Sequence, residues 1–257
     1  MLNWRTLLLV VCVGGISIIL PTQVLQIKAL IGQAPIQLSA PELTRQARSI
    51  TVKVISSGGF LGSGILTYKR DRVYRVLTND HVLKLGNAPY QVQTSDGKTY
   101  EAKKIEPSTS SQGNDLGLLE FNAPDIDYRV AKLGQTPAPE THVRAAGFPF
   151  SRQGFKDDFV MLPGQVKWVL DKALEGGYKI GYSNEVEKGM SGGPLLNLAG
   201  ELVGINGVHA HPIWGDPYLF QDGSQPSESE RERMSEYSWG IPVETFEPLV
   251  SSVGTKN

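Results

Sequence analysis

The amino-acid sequence predicts an all-β protein made of two six-stranded antiparallel β-barrels, and three observations support this fold class. Glycine accounts for 28 of the 257 residues, where the usual share of about 7% would give about 18. Short segments alternate apolar and polar residues, as half-buried strands do. A strand–helix–strand rhythm of about 30 residues, which a parallel sheet would need, does not run through the chain.

The first barrel is predicted over residues 41–135. "APELTRQARS" predicts a short helix, and "SITVKVIS" then alternates apolar and polar residues in the pattern of a strand. "YQVQTSDGKTYEAKKI" predicts a hairpin, because Asp96 and Gly97 can supply the two positive-φ positions of a type I′ turn. About six strands would close a small barrel without exposed edges.

The second barrel is predicted over residues 140–250, after the turn-rich passage "GQTPAPETH". "GQVKWVL" alternates like a strand, and "GPLLNLAGELVGING" predicts a hairpin that turns near Ala199 and Gly200. "DKALEGG" and "SESERERMSE" predict short helices. Residues 207–237 lack strand character and are predicted to be a loop insertion. A loop of this length in a compact domain is usually functional or mobile.

Residues 1–34 predict an export signal. One arginine precedes the apolar run from Leu7 to Leu20, which is short for a membrane span of about 20 residues and suits a signal-peptide core. The nearest small-residue cleavage site is "GQA" at 32–34, so an uncleaved membrane anchor stays open. We expect export to the periplasm or the extracellular space. The only cysteine, Cys12, lies in the apolar run, so we expect no disulfide in the exported domain.

Charge and composition exclude several partners. The 25 basic and 26 acidic residues leave a net charge of −1 without a basic block, so nucleic acid is not an expected partner. "HAH" at 209–211 could hold a metal, but no third ligand at matching spacing is evident beyond Asp216 and Asp222. Two surface histidines are therefore preferred. We expect no metal and no cofactor.

A serine in the stretch "EKGMSGGPLLN", Ser191, is the candidate nucleophile. A serine hydroxyl becomes nucleophilic only beside a base. His81, in "YRVLTNDHVLK", follows a strand-like run and so lies at the mouth of the predicted barrel. Asp115, in "QGNDLGLLEF", lies where a turn enters a strand and could face the loop that carries the histidine, although a turn cap is the alternative. The backbone N–H groups of Gly189 and Ser191 can converge as a tetrahedral oxyanion requires.

"GMSGG" also matches G-x-S-x-G, the nucleophile elbow of α/β-hydrolases. In those enzymes a helix follows the serine, and the acid precedes the histidine along the chain. The first aspartate after Ser191 is Asp216, which follows both His209 and His211, and a strand pattern follows the serine. An esterase of this kind is therefore disfavoured.

"TNDHV", "NDLGLLEF" and "GMSGGPLLN", in that order, resemble the trypsin/chymotrypsin-like serine proteases, and most of all the bacterial HtrA (DegP-like) branch. The resemblance covers roughly residues 45–248. It implies a trypsin-like fold with the active site in the cleft between the barrels, and endopeptidase activity on polypeptide substrates. Ser191 would be the nucleophile, His81 the general base, and Asp115 the residue that orients the imidazole. The N–H groups of Gly189 and Ser191 would form the oxyanion hole.

Substrate contacts are expected at two segments. In "YSWGIP", Ser238, Trp239 and Gly240 offer an extended backbone that could pair with a substrate strand. Glu185 is expected near the base of the specificity pocket, where it would favour Lys or Arg in the substrate. Val186 could instead make a small apolar pocket, and the spacing leaves both open.

The sequence departs from the family pattern in three respects. No room for a PDZ domain is expected after residue 250, and Met190 stands where enzymes activated by a new N-terminus have Asp. Activation through an N-terminal ion pair is therefore not expected. Residues 207–237 have no counterpart in a minimal HtrA protease domain. A protease-fold binding protein without turnover is the alternative function, although each chemical role is occupied.

Overall fold

A computed structural model describes residues 37–106, 113–153, 158–210 and 218–251 of the chain. The predicted signal peptide or anchor at residues 1–34 lies outside these ranges. Within them, no helix is long and apolar enough to cross a membrane.

Two closed antiparallel barrels of six strands each form the fold, which confirms the predicted fold class. The strands of the first barrel are β1 (Thr51–Ser56), β2 (Gly59–Arg70), β3 (Val73–Thr78), β4 (Tyr90–Gln93), β5 (Thr99–Ile105) and β6 (Gly117–Asn122). Those of the second are β7 (His142–Gly147), β8 (Val160–Val169), β9 (Ile180–Tyr182), β10 (Pro194–Asn197), β11 (Leu202–Val208) and β12 (Ser238–Pro242). Neighbouring strands of the first barrel run in the order β1–β2–β3–β6–β5–β4, and those of the second in the order β10–β11–β12–β9–β8–β7.

Helices lie at the ends of the barrel strands: α1 (Ala40–Ile50), α2 (Asp80–Lys84), α3 (Glu228–Ser235) and α4 (Val243–Ser251). The sequence predicted α1 and α3. Each begins with a capping box, Ser39 with Glu42 and Ser227 with Glu230, which satisfies backbone donors of the first turn. The Gln46 side chain donates to the Gly200 carbonyl at 2.7 Å, so α1 also contacts the β10–β11 turn of the second barrel.

The predicted hairpin at residues 90–105 is present, but its predicted turn type is wrong. A type I′ turn needs positive φ at both central residues, and Gly97 has a φ of 84° while Asp96 is not in that region. The N–H of Gly97 donates to the Thr94 carbonyl, and the N–H of Thr94 donates to the Lys98 carbonyl, both at 2.9 Å. The loop is therefore a type I turn followed by a glycine bulge.

The predicted helix at "DKALEGG" is also wrong, since the chain makes a tight turn there. The N–H of Leu174 donates to the Tyr178 carbonyl at 2.8 Å, and the N–H of Gly177 donates to the Leu174 carbonyl at 2.9 Å. Gly176 and Gly177 have φ values of 79° and 86°, which a right-handed helix cannot accommodate. We call Leu174–Tyr178 the 174–178 turn.

Apolar clusters fill each barrel and the space between the barrels. The cluster between them joins Ile65 and Leu77 of the first barrel to Leu196 and Ile205 of the second. Such a continuous core holds the facing surfaces of the barrels together, and loops from both line the cleft at its edge.

The predicted insertion at 207–237 is partly described. Its first residues extend β11 to Val208, and α3 occupies part of its second half. Met234 of α3 is buried, and its carbonyl accepts hydrogen bonds from Trp239 Nε1 at 2.9 Å and from the Tyr218 hydroxyl at 3.1 Å. The described end of the insertion is therefore packed on the second barrel.

Candidate active site

His81 and Asp115 contact each other in the first barrel. β3 ends at Thr78, and α2 places His81 in its first turn, while Asp115 lies just before β6. His81 Nδ1 lies 2.5 Å from Asp115 Oδ2, and the backbone N–H of His81 donates to Asp115 Oδ1 at 2.7 Å. One carboxylate thus fixes both the helix start and the ring of the histidine.

The Asp115 carboxylate is mostly buried and surrounded by donors. Its side chain is 16% exposed, and burial by itself would raise its pKa. The hydrogen bonds and charge of His81, with a hydrogen bond from the Tyr178 hydroxyl, outweigh burial and hold the pKa below the ordinary value. The buried Asn79 amide donates to the Asp115 backbone carbonyl at 2.9 Å. This carboxylate is therefore charged and fixed in place.

Ser191 lies in the same cleft as His81, which has a volume of about 440 Å³. Its hydroxyl donates to the Gly207 carbonyl at 3.0 Å. No hydrogen bond joins Ser191 to His81 among the described residues. The structure thus brings His81 and Ser191 to one cleft, joins Asp115 to the His81 ring, and holds the serine hydroxyl by the backbone.

Two backbone N–H groups beside Ser191 remain without an acceptor among the described residues, those of Gly189 and Ser191 itself. The Lys188 carbonyl accepts the N–H of Phe150 at 2.8 Å. Because an N–H points away from the preceding carbonyl in a trans peptide, the Gly189 N–H points away from Phe150. Gly189 lines the cleft, so these donors suit the binding of an anionic oxygen.

Glycine is required on both sides of Ser191. Gly189 has a φ of 95°, and a Cβ there would lie 2.6 Å from the Phe148 carbonyl oxygen. Gly192 has a φ of 83°, and its Cβ would lie 2.2 Å from the Ser63 carbonyl oxygen. Side chains rarely adopt this backbone region, and both contacts are with backbone atoms. The glycines therefore fix the shape of the serine loop.

Ser63, in β2 of the first barrel, supports the serine loop of the second. Its backbone N–H donates to the Ser191 carbonyl at 2.9 Å, and its hydroxyl donates to the Gly189 carbonyl at 2.8 Å. The same hydroxyl accepts the N–H of Phe148 at 2.9 Å. Ser63 is fully buried, so these bonds are protected from water.

The sequence predicted a free substrate edge at Ser238, Trp239 and Gly240, and the strand pairing of these residues contradicts that prediction. These residues form β12, which pairs with β11 on one side and β9 on the other. Ser238 is 1% exposed and Trp239 is fully buried. A strand with both edges hydrogen-bonded cannot pair with a further strand, so this segment does not offer a free edge.

The two candidates for the specificity pocket differ in position. Glu185 is exposed and is not among the residues that line the cleft. Val186 is 6% exposed and lines the cleft. Met190 is fully buried in the apolar core of the second barrel, and its uncharged side chain cannot form an ion pair with a chain terminus.

Residues 62–205 match the family of trypsin-like peptidase domains. The chain belongs to the trypsin-like peptidase family. Its two closed six-stranded barrels agree with the fold of a trypsin-like peptidase domain.

Curated relatives of this trypsin-like peptidase chain include proteins named as serine proteases. Serine protease HTRA1 of Xenopus laevis is 33% identical over 143 residues, which cover 51% of this chain and 28% of the relative. A probable periplasmic serine endoprotease, DegP-like, of Marinomonas sp. (strain MWYL1) is 33% identical over 185 residues, which cover 70% of this chain and 34% of the relative. The chain spans about a third or less of these relatives.

Sequence reasoning missed several residues of this site: Ser63, Tyr178, Gly207 and Val208. The serine motif does not include them, because Ser63 supports the serine loop from β2, and the other three line the cleft from a turn or strand outside that motif. One signal was available, since the paired glycines of "LEGGYK" are typical of a turn and disfavour a helix.

Proposed function

We propose that the protein is a serine endopeptidase that cleaves peptide bonds of polypeptides through a His81–Asp115–Ser191 triad. The observation that carries this proposal is the Asp115 carboxylate, which binds both the ring and the backbone of His81 in the cleft of Ser191. Membership in a peptidase family and the names of the relatives support the reaction class.

In the proposed acylation step, the Ser191 hydroxyl turns from the Gly207 carbonyl to His81 Nε2. His81 carries its other ring proton on Nδ1 toward Asp115, so Nε2 is free to accept the serine proton. The serine oxygen attacks the peptide carbonyl carbon, and the oxyanion accepts bonds from the N–H groups of Gly189 and Ser191. The C–N bond breaks as His81 returns the proton to the leaving amine.

Deacylation repeats these steps with water. His81 takes a proton from the water molecule, the resulting hydroxide attacks the ester carbonyl, and Ser191 leaves with the proton returned to its oxygen. Asp115 remains charged throughout and stabilises the imidazolium in both steps. The pKa of its carboxyl, which lies below the ordinary value, suits that role.

The substrate backbone pairs with the end of β11 in this proposal. Pairing of β10 with β11 stops at Ile205, and Gly207, Val208 and His209 line the cleft beyond it. A substrate N–H that donates to the Gly207 carbonyl would replace the Ser191 hydroxyl there. Substrate binding would then release the serine toward His81, by addition of a strand to a free edge.

The residue before the scissile bond is proposed to be small and apolar. Val186 lines the cleft together with Val82 and Val208, while Glu185 is exposed. An apolar wall favours an apolar side chain through burial of apolar surface, and the charged residues that also line the cleft, Glu187 and Lys188, are exposed.

The protein is proposed to act outside the cytoplasm. The DegP-like relatives are named as periplasmic, and residues 1–34 have the pattern of a signal peptide. Retention of that segment as an anchor is the alternative, and the mass of the exported protein distinguishes the two.

A serine-directed fluorophosphonate probe tests the proposed function. We expect the purified protein to be labelled, and Ser191→Ala and His81→Ala to lose the label. His142→Ala is a matched control, since His142 is an exposed residue of β7. A folded protein that binds polypeptides without labelling or cleavage would refute the enzyme and favour the binding protein without turnover.

A further inference from the structure

We propose that Tyr178 is a positioning residue that holds the Asp115 carboxylate from the opposite barrel, in the space that Gly207 leaves free of a side chain. The inference deepens the proposed function and rests on it. Three independent observations support it: a hydrogen bond, a backbone clamp and a steric match.

The hydrogen bond runs from the Tyr178 hydroxyl to Asp115 Oδ2, the oxygen that also contacts His81 Nδ1. Burial raises the pKa of the Tyr178 hydroxyl well above its ordinary value, and the charge of Asp115 raises it further. The hydroxyl therefore stays protonated and serves as a constant donor. With His81, it gives the buried carboxylate the partners that a charge needs away from water.

The backbone clamp comes from the 174–178 turn, which carries Tyr178. The Asp115 N–H donates to the Gly176 carbonyl at 2.8 Å, and Asn114 forms a β-bridge with Gly176. A Cβ on Gly176 would lie 2.8 Å from the Tyr178 ring and 3.2 Å from Asp115 Cβ. The turn thus holds the backbone and the side chain of Asp115 at once.

The steric match is between Tyr178 and Gly207. A Cβ on Gly207 would lie 2.1 Å from Tyr178 Cε1 and 2.6 Å from the phenolic oxygen. The ring therefore occupies the place where a side chain of residue 207 would be. A hydroxyl on a one-carbon side chain at 207 could reach almost the position that the phenolic oxygen now occupies.

The role of Tyr178 follows from which barrel carries each residue of the site. His81 and Asp115 belong to the first barrel, and Ser191 and Tyr178 belong to the second barrel or its loops. A bond between Tyr178 and Asp115 fixes the imidazole relative to the serine across the barrel interface. Loss of that bond should lower the rate of the chemical step more than substrate binding, since misplacement of a base reduces kcat.

The first test is Tyr178→Phe, which removes only the hydroxyl. We expect kcat to fall about 10-fold to 100-fold, as for loss of a hydrogen bond to a charged group, with KM within about twofold. Tyr74→Phe is the matched control, because it removes a buried tyrosine hydroxyl that bonds to the Ile126 carbonyl at the far end of β3 from His81. This control should keep the wild-type kcat.

The second test is a rescue from residue 207. Tyr178→Ala empties the space, and adding Gly207→Ser supplies a hydroxyl close to the position of the lost one. We expect this pair to recover at least about tenfold in kcat over Tyr178→Ala. Adding Gly207→Ala to Tyr178→Ala fills the same space without a donor and should not recover. Equal recovery by both pairs would mean that Tyr178 acts by packing and would overturn the proposal.

The third readout needs no turnover: the NMR resonance of the proton on His81 Nδ1, which faces Asp115. We expect it to shift in Tyr178→Phe and not in Tyr74→Phe. Absence of Ser191 labelling in the wild type would refute the proposed function, and this resonance would still decide the role of Tyr178. A labelled wild type whose Tyr178→Phe variant keeps kcat within twofold and an unchanged resonance would overturn the Tyr178 proposal alone.

Discussion

The Asp115→Asn substitution separates charge from shape at the candidate site. Three donors converge on the Asp115 carboxylate: the backbone N–H of His81 on Oδ1, and the His81 ring and Tyr178 hydroxyl on Oδ2. Asparagine keeps the shape but replaces one acceptor oxygen with an NH₂ donor. Whichever way the amide turns, one donor then faces another donor.

The expected loss can be worked out from these bonds. If the NH₂ group faces the His81 ring, the ring must move its proton to Nε2, and Nε2 can no longer accept the serine proton. If the amide oxygen faces the ring, the backbone N–H of His81 loses its acceptor, and in both cases the imidazolium loses its counter-charge. Two such losses at about 1.5–3 kcal/mol each give about 10² to 10⁴ in kcat, and about 10⁴ is typical of Asp→Asn in a Ser–His–Asp triad.

The assay is the second-order rate of fluorophosphonate labelling, followed by kcat on a peptide substrate. Asp127→Asn is the control, because Asp127 is an exposed aspartate paired with Lys69 and such pairs contribute little. We expect Asp127→Asn to react like the wild type. A loss of less than tenfold in Asp115→Asn would refute the assignment of Asp115 as the acid.

The same variant has a signature in stability against pH. The pKa of the Asp115 carboxyl in the folded protein lies below its ordinary value, so its charged form stabilises the fold. This contribution is fully present above the unfolded pKa of about 4 and is lost as the pH falls through the folded value. The difference in unfolding free energy between wild type and Asp115→Asn should therefore shrink as the pH falls below about 4, as measured by urea titration at each pH. A constant difference would contradict the charge argument.

Three further predictions test the serine loop and the pocket. Gly192→Ala should lose more than about 2 kcal/mol of unfolding free energy in urea, because it adds a backbone clash to an unfavourable φ. The control Gly97→Ala, at a position with a φ of 84° and open space, should lose only about 1–2 kcal/mol. Equal losses would refute the clash. Ser63→Ala leaves two buried partners unpaired at about 1–3 kcal/mol each and should slow labelling of the folded protein, and an unchanged labelling rate would mean that the serine loop needs no support from β2. On a peptide library, Glu185→Gln should keep the wild-type cleavage profile, and Val186→Phe should shift the preferred residue before the scissile bond toward smaller side chains. Loss of a preference for Lys or Arg in Glu185→Gln would contradict the apolar pocket.

Local signals allowed the barrels to be predicted, because a hairpin turn or an alternation of apolar and polar residues can be recognised within a short segment. "GPLLNLAGELVGING" turns at Gly200, which has a φ of 79°, as its letters predicted. The predictions that failed depended on which strands lie beside a segment in the folded barrel. The strand "SWGIP" is buried at every position, and its extended letters do not reveal that strands flank it on both sides.

Tyr178 and Gly207 illustrate why part of the site lay beyond prediction. Neither residue stands out within its own segment of sequence. The pair matters only in the folded protein, where the Tyr178 ring fills the space beside Gly207. Their separation along the chain carries no periodic signal, since the contact is made within the second barrel, where β12 lies between β9, which follows Tyr178, and β11, which carries Gly207. The order of His81, Asp115 and Ser191, in contrast, lies in three short motifs that can be read one at a time.

Each barrel holds the candidate catalytic loop of the other. Ser63 of the first barrel binds the carbonyls of Gly189 and Ser191, and the 174–178 turn of the second binds Asp115 through Gly176 and Tyr178. Because hydrogen bonds hold atoms only within a narrow range of distance, this reciprocal support ties the spacing between Ser191 and His81 to the packing of the barrels. A change at the barrel interface should therefore reduce the rate before it unfolds the protein, since a small displacement of a base costs far more in rate than in stability.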